Sequence, residues 1–137
     1  MTAKPVDNVR ALQPARVVVS GRDKRFVRVA TFLLARRGFD VSHATNHDEL
    51  LDLMEKQTVD VVILDATFSL SSSLRTAAAL TALHPHLRIL FATDRFTTRV
   101  GEPYTQIEKW RDLDALPEEV TRVQLGLPVN PTALPAS

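Results

Sequence analysis

Apolar positions fall into short unbroken runs separated by stretches with helical spacing. The densest run is Val59-Asp60-Val61-Val62-Ile63-Leu64-Asp65, where four consecutive large aliphatics lead into a carboxylate and then Ala66-Thr67-Phe68. A short apolar run without alternation suits a central parallel strand covered on both faces. Arg16-Val17-Val18-Val19-Ser20 reads as a first strand, and Gly21-Arg22-Asp23 turns into a helix from about Lys24 to Arg37. Phe26, Val27, Ala30, Leu33 and Leu34 recur there at helical spacing, and Gly38 is a natural stop. Phe39 to His43 alternates like a strand. Asn46 with Glu49 three positions on forms a capping box ahead of a helix presenting Leu50, Leu51, Leu53 and Met54. Ser69 to Ser73 is a small-residue loop opening a third helix that runs to about His84 and is ended by Pro85.

Leu87 to Thr93 is a fourth strand, and only Asp94 to Pro103 separates it from a short fifth one, Tyr104 to Glu108. Asp114 is the expected cap of a last helix that tolerates Pro117 in its first turn and ends near Leu125. Strands alternating with helices predict an α/β fold with a doubly wound, five-stranded parallel sheet. Asp65 then stands at the carboxyl edge of the sheet, where ligands and chemistry collect in such folds.

The chain has 137 residues, 45% of them hydrophobic and 24% charged, which is ordinary globular usage for one domain. A net charge of +1 gives no bulk attraction to nucleic acid or acidic lipid. Without cysteine there is no disulfide, zinc–thiolate site or thiol catalysis. No apolar run approaches a membrane span, and Met1 to Pro5 has no apolar core of a secretory signal, so a soluble cytoplasmic protein is expected. Residues 1–14 read as a lead-in, 15–126 as the folded domain and 127–137, with Pro128, Pro131 and Pro135, as a flexible tail.

Four histidines (His43, His47, His84 and His86) lack ligand spacing and read as surface residues. Arg22, Lys24, Arg25 and Arg28 form a basic stretch that is read as a solvated face and not as a nucleic-acid site. Ser20-Gly21-Arg22-Asp23 has one glycine, too few for a nucleotide-binding turn.

Asp65 ending the third strand, Thr93 ending the fourth, Lys109 following the fifth and Asp112-Leu113-Asp114-Ala115-Leu116 behind it resemble the receiver domain of bacterial response regulators. The resemblance implies a flavodoxin-like (CheY-like) sheet. It makes Asp65 the candidate phosphoacceptor, with Thr93 and Lys109 as candidate phosphate contacts that supply a hydroxyl donor and an ammonium. The family holds magnesium on paired acids after the first strand. Here Gly21 and Arg22 fall at that pair. Asp65 and neighbouring Asp23, with the Thr67 carbonyl, are the weakly supported metal candidates, and Asp23 is equally read as the cap of the helix that starts at Lys24.

Other departures cluster around the same place. Gln106 takes the aromatic switch position, Ser69 and Ser73 replace a proline and a glycine, and Trp110 replaces the proline after the lysine. Arg22 is expected to pair with Asp65 in the metal's space, and the change at Trp110 predicts a displaced Lys109. The segment Asp94 to Pro103 leaves the fourth helix short or absent.

The expectation is a pseudo-receiver and not an enzyme: a signalling module working through protein–protein interaction, phosphorylation-independent or weakly phosphorylatable, without a required cofactor. Its partners are a histidine kinase, a phosphotransfer protein, a scaffold protein or a second copy. The expected interaction surface carries Phe96, Tyr104, Gln106 and Trp110, with Trp110 also readable as a cover for the fourth-helix gap. The alternative is a working receiver that accepts a phosphoryl group on Asp65 from a histidine kinase or phosphotransfer protein.

Overall fold

The computed structural model describes residues 14–94, 100 and 104–126. The elements are β1 (Arg16–Ser20), α1 (Lys24–Arg36), β2 (Asp40–Ala44), α2 (His47–Lys56), β3 (Val61–Asp65), α3 (Leu70–Leu83), β4 (Arg88–Thr93), β5 (Thr105–Glu108), a 3-10 turn (Leu113–Ala115) and α4 (Leu116–Gln124). All neighbouring strands are parallel, in the order β2-β1-β3-β4-β5. This is the doubly wound sheet that the alternating pattern predicts, with β3 at its centre. The lead-in up to Gln13, the tail from Leu127, Phe96 and most of Asp94 to Pro103 lie outside the described residues.

Successive side chains of a strand point to opposite faces, and here both faces are buried. Val17, Val19, Val61 and Ile63 join Phe26, Ala30 and Leu34 of α1 and Leu116, Val120 and Val123 of α4. Val18, Val62 and Leu64 join Leu50 and Met54 of α2 and Ala77 and Leu80 of α3. That two-sided burial is why β1 and β3 read as continuous apolar runs.

Local signals act where the sequence places them. Asn46 Oδ1 accepts from the Glu49 amide at 2.9 Å, while Glu49 Oε1 accepts from the Thr45 amide at 2.6 Å. The reciprocal bond thus reaches one residue further back than in a standard capping box. Gly38, at φ +92°, closes α1: its amide donates to the Ala35 carbonyl and that of Phe39 to the Leu34 carbonyl. This Schellman arrangement needs the left-handed conformation that glycine adopts without strain. It takes Phe39 into the helix terminus, so β2 starts at Asp40.

The start of the last helix differs from expectation. Asp114 is exposed in the 3-10 turn, and α4 has no side-chain cap. Asp112 shapes the approach instead, its Oδ2 accepting from the Glu108 amide at 2.8 Å. Pro117 occupies the first turn, where its missing N–H costs nothing. No helix among the described residues is long and apolar enough to cross a membrane.

Candidate functional site

Because the strands are parallel and nearly in register, β1, β3, β4 and β5 deliver Ser20, Asp65, Thr93 and Glu108 to one edge. Lys109 follows β5, held by its amide donating to the Thr93 carbonyl at 2.7 Å. Its side chain turns back under the edge and is almost wholly buried, 1% exposed, with Nζ 2.9 Å from Asp65 Oδ2 and 2.8 Å from Asp23 Oδ2. Nζ also stands 5.0 Å from the centre of the Phe26 ring, a cation–π distance. Lys109 is therefore not displaced by the tryptophan after it. Two carboxylates and a ring face hold the ammonium in place.

The Asp65 side chain has no solvent-accessible surface. Oδ1 accepts from the Thr67 amide at 3.0 Å, a local turn typical of aspartate, and Oδ2 accepts from Lys109. No ion pair joins Arg22 to Asp65, contrary to expectation. Arg22 is exposed, and Lys109 is the cation that neutralises the buried carboxylate.

Asp23 fills the capping role read for it and takes a second one that was not read, as a partner of Lys109. Oδ1 caps α1 through the Phe26 amide at 3.1 Å, and Oδ2 takes the Lys109 ammonium. The hydrogen bond from Lys109 holds the Asp23 carboxyl below the usual carboxylate range, against a smaller opposing effect of desolvation. Burial by itself would lower the Lys109 pKa. Hydrogen bonds to Asp23 and then Asp65 outweigh it and hold the ammonium above the usual lysine range.

Gly21 is where sequence reasoning noted a missing acid and missed the reason. A Cβ built there would lie 2.7 Å from Asp65 Cβ and 3.2 Å from its Oδ2. The end of β1 approaches Asp65 too closely for any side chain, and φ plays no part, since Gly21 is not among the positive-φ glycines.

Thr93 is buried, and its hydroxyl accepts from Gln106 Nε2 at 2.9 Å. Gln106 Oε1 in turn accepts from the Val100 amide at 3.0 Å, so its amide group ties Val100 to β4. Tyr104 packs edge-on against Phe91 at 5.1 Å. Trp110 is 42% exposed, perpendicular to Phe26 at 5.9 Å, with the Arg25 guanidinium 5.4 Å from its ring. Its ring contacts thus lie on α1, because the chain after β5 runs back towards the start of that helix. The fourth-helix gap that Trp110 was read as covering lies mostly outside the described residues. Among the described contacts, Tyr104 and Gln106 thus meet β4 and Trp110 meets α1.

No family model and no curated protein matches the chain. Solved structures do. A response regulator from Thermotoga maritima superposes with a TM-score of 0.71 at 20% identity, covering 82% of this chain and 98% of its own. The response regulator TrrA from Thermotoga maritima, in complex with Mg2+ and BeF, gives 0.67 at 22% identity, covering 80% and 98%. An atypical orphan response regulator, described as showing a phosphorylation-independent regulatory mechanism, gives 0.65 at 18% identity, covering 84% and 99%.

The fold is that of the CheY-like receiver domain. Within it, Asp65, Thr93 and Lys109 occupy the positions that the sequence resemblance gave them, and they converge at one edge. The residues do not fit a receiver's magnesium. That ion needs an open octahedral set of oxygen donors. Gly21 and Arg22 offer no carboxylate, Asp65 and Asp23 share an ammonium, and Asp65 is sealed from solvent. Asp23 and Asp65 are thus ligands of Lys109, and no group of three or more metal-binding side chains exists among the described residues.

Proposed function

We propose that this receiver fold is a phosphorylation-independent signalling module that acts through protein–protein contact. One observation carries the reading: the Asp65 carboxylate, which a phosphoryl donor would have to reach, is buried with one oxygen on the Thr67 amide and the other on Lys109. An aspartyl nucleophile attacks phosphorus in line with the leaving oxygen, with metal and cations neutralising the equatorial charge. Here Lys109 is already spent on two carboxylates, and its ammonium is not free for an incoming phosphate. The Asp23–Lys109–Asp65 arrangement therefore serves as a fixed strut linking α1, β3 and β5, and the domain presents one constitutive shape.

In this role the domain is a binding protein and not an enzyme. It works in the cytoplasm, and its partner is a histidine kinase, a phosphotransfer protein, a scaffold or a second copy. Trp110, half-exposed and stacked on Arg25, is the anchor expected of such a contact.

The test is intact-protein mass after incubation with acetyl phosphate and magnesium, with Asp65→Ala as control. The expected result is no phosphoryl adduct on either protein. An adduct on the parent chain that is absent from Asp65→Ala would replace this reading with a working phosphoacceptor, the alternative favoured by the convergence of Asp65, Thr93 and Lys109.

A further inference from the structure

Threonines in helices commonly donate their hydroxyl to the carbonyl one turn back. Three of those described here do so: Thr76 to Ser72, Thr81 to Ala77 and Thr121 to Pro117, at 3.0, 3.0 and 3.1 Å. Thr31 of α1 does not. Its Oγ1 is buried and has no hydrogen-bond partner, although an unmet buried hydroxyl is costly and rare in native proteins.

Thr31 lines a hollow of about 380 Å3 between α1 and the edge strand β2, together with Lys24, Val27, Arg28, His43 and Thr45. Lys24 and Arg28 are one turn apart on the same helix face. Both are exposed, and neither is within ion-pair distance of a carboxylate among the described residues. The nearby acids are engaged elsewhere, Asp23 by Lys109 and Asp40 by Arg16. The hollow thus combines two cations without an ion-pair partner among the described residues, an imidazole and an apolar wall from Val27.

We propose that this α1–β2 hollow binds a small organic phosphate monoester. Two cations match a dianion better than a single carboxylate, and a phosphate monoester, with a second pKa of about 6, is largely dianionic at neutral pH. Arg28 supplies the forked donor geometry suited to phosphate and Lys24 a point charge. Val27 and the aliphatic stems of the two cations give the ligand's organic part an apolar contact. The volume lies within the range of small-molecule sites. The hollow adjoins the Asp65 edge, sharing Gly21 and Thr45 with the hollow that borders Asp65.

The test is a titration of the full chain with phenyl phosphate, followed by amide and imidazole NMR shifts, against inorganic phosphate and phenol. The expected result is saturable shifts centred on Arg28, Thr31 and His43 with phenyl phosphate, and at least tenfold weaker responses to the other two. Arg28→Ala and Lys24→Ala, both at exposed positions, should each weaken binding about tenfold or more while leaving the remaining spectrum unchanged. Shifts that fail to saturate, that centre on Arg22 and Arg25, or that survive both substitutions would overturn the proposal. Equal affinity for inorganic phosphate would overturn the organic part of the assignment.

Discussion

The two sides of Asp65 are built in opposite ways. Towards β5 the carboxylate meets a closed, charged strut whose members come from three distant parts of the chain, Asp23, Asp65 and Lys109. Towards α2 and α3 it borders an open hollow formed by Arg22, Asn46, His47, Phe68, Ser69 and neighbouring residues. Asn46 and Ser69 there cap their own helices, each through an amide three residues on, and His47 Nδ1 bonds Thr76 Oγ1 at 2.9 Å between α2 and α3. One side is fixed by buried charge pairing and the other by hydrogen bonds with exposed side chains between them. Burial makes the difference energetic: a carboxylate sealed from water depends on its counter-ion, whereas exposed groups keep water as an alternative partner.

Removing the counter-ion should have the largest effect. Lys109→Ala leaves the buried Asp65 carboxylate and the partly exposed Asp23 carboxylate without their ammonium, and loss of one partner of a buried pair costs about 3–5 kcal/mol. Phe68→Ala on the open side, where the ring is 64% exposed, should stay within about 0.5 kcal/mol. Urea unfolding of the two variants measures both, and similar losses would erase the distinction between the sides.

Filling the contact between β1 and Asp65 comes next. In Gly21→Ala the new methyl would lie 2.7 Å from Asp65 Cβ, so backbone or carboxylate must move. Overpacking of this kind costs about 1–3 kcal/mol. An unchanged unfolding midpoint would show that the strand end yields freely.

The smallest effect is the acid response of the strut. The Asp23 carboxyl is held below its ordinary value of 3.8 by Lys109, so its contribution is present above that pH and is lost as pH falls through the lower folded value. Lys109 is raised, so its contribution is fully present below its ordinary value of 10.5 and is lost as pH rises from there through its folded value. Across neutral pH neither group changes stability. Asp23→Asn keeps a good helix cap while weakening the charge pairing. The stability gap between parent and variant should therefore be constant from pH 8 to pH 5 and shrink below about pH 4. Chemical denaturation across that range reads the gap, and one that does not shrink in acid would show that Asp23 acts as a cap alone.

The strand–helix alternation, the buried central strand, the Asn46 cap and the Gly38 stop were legible in the sequence. Each depends on residues a few positions apart and on periodicities of 2 and 3.6. The resemblance also placed Asp65, Thr93 and Lys109 at one edge, since parallel strands in register bring their carboxyl ends together. Tertiary structure alone decided how those residues pair. The bonds from Lys109 to Asp23 and Asp65 span 86 and 44 positions. The competing pairing of Arg22 with Asp65 is equally sensible on charge and nearer in the fold's order. The choice fell to Lys109 because the sheet edge buries its stem beside Phe26 and directs the ammonium at both carboxylates, while the turn at Gly21 leaves Arg22 in water. Charge type is written in the sequence, but burial, which sets the strength of a charge pair, exists only once the chain has folded.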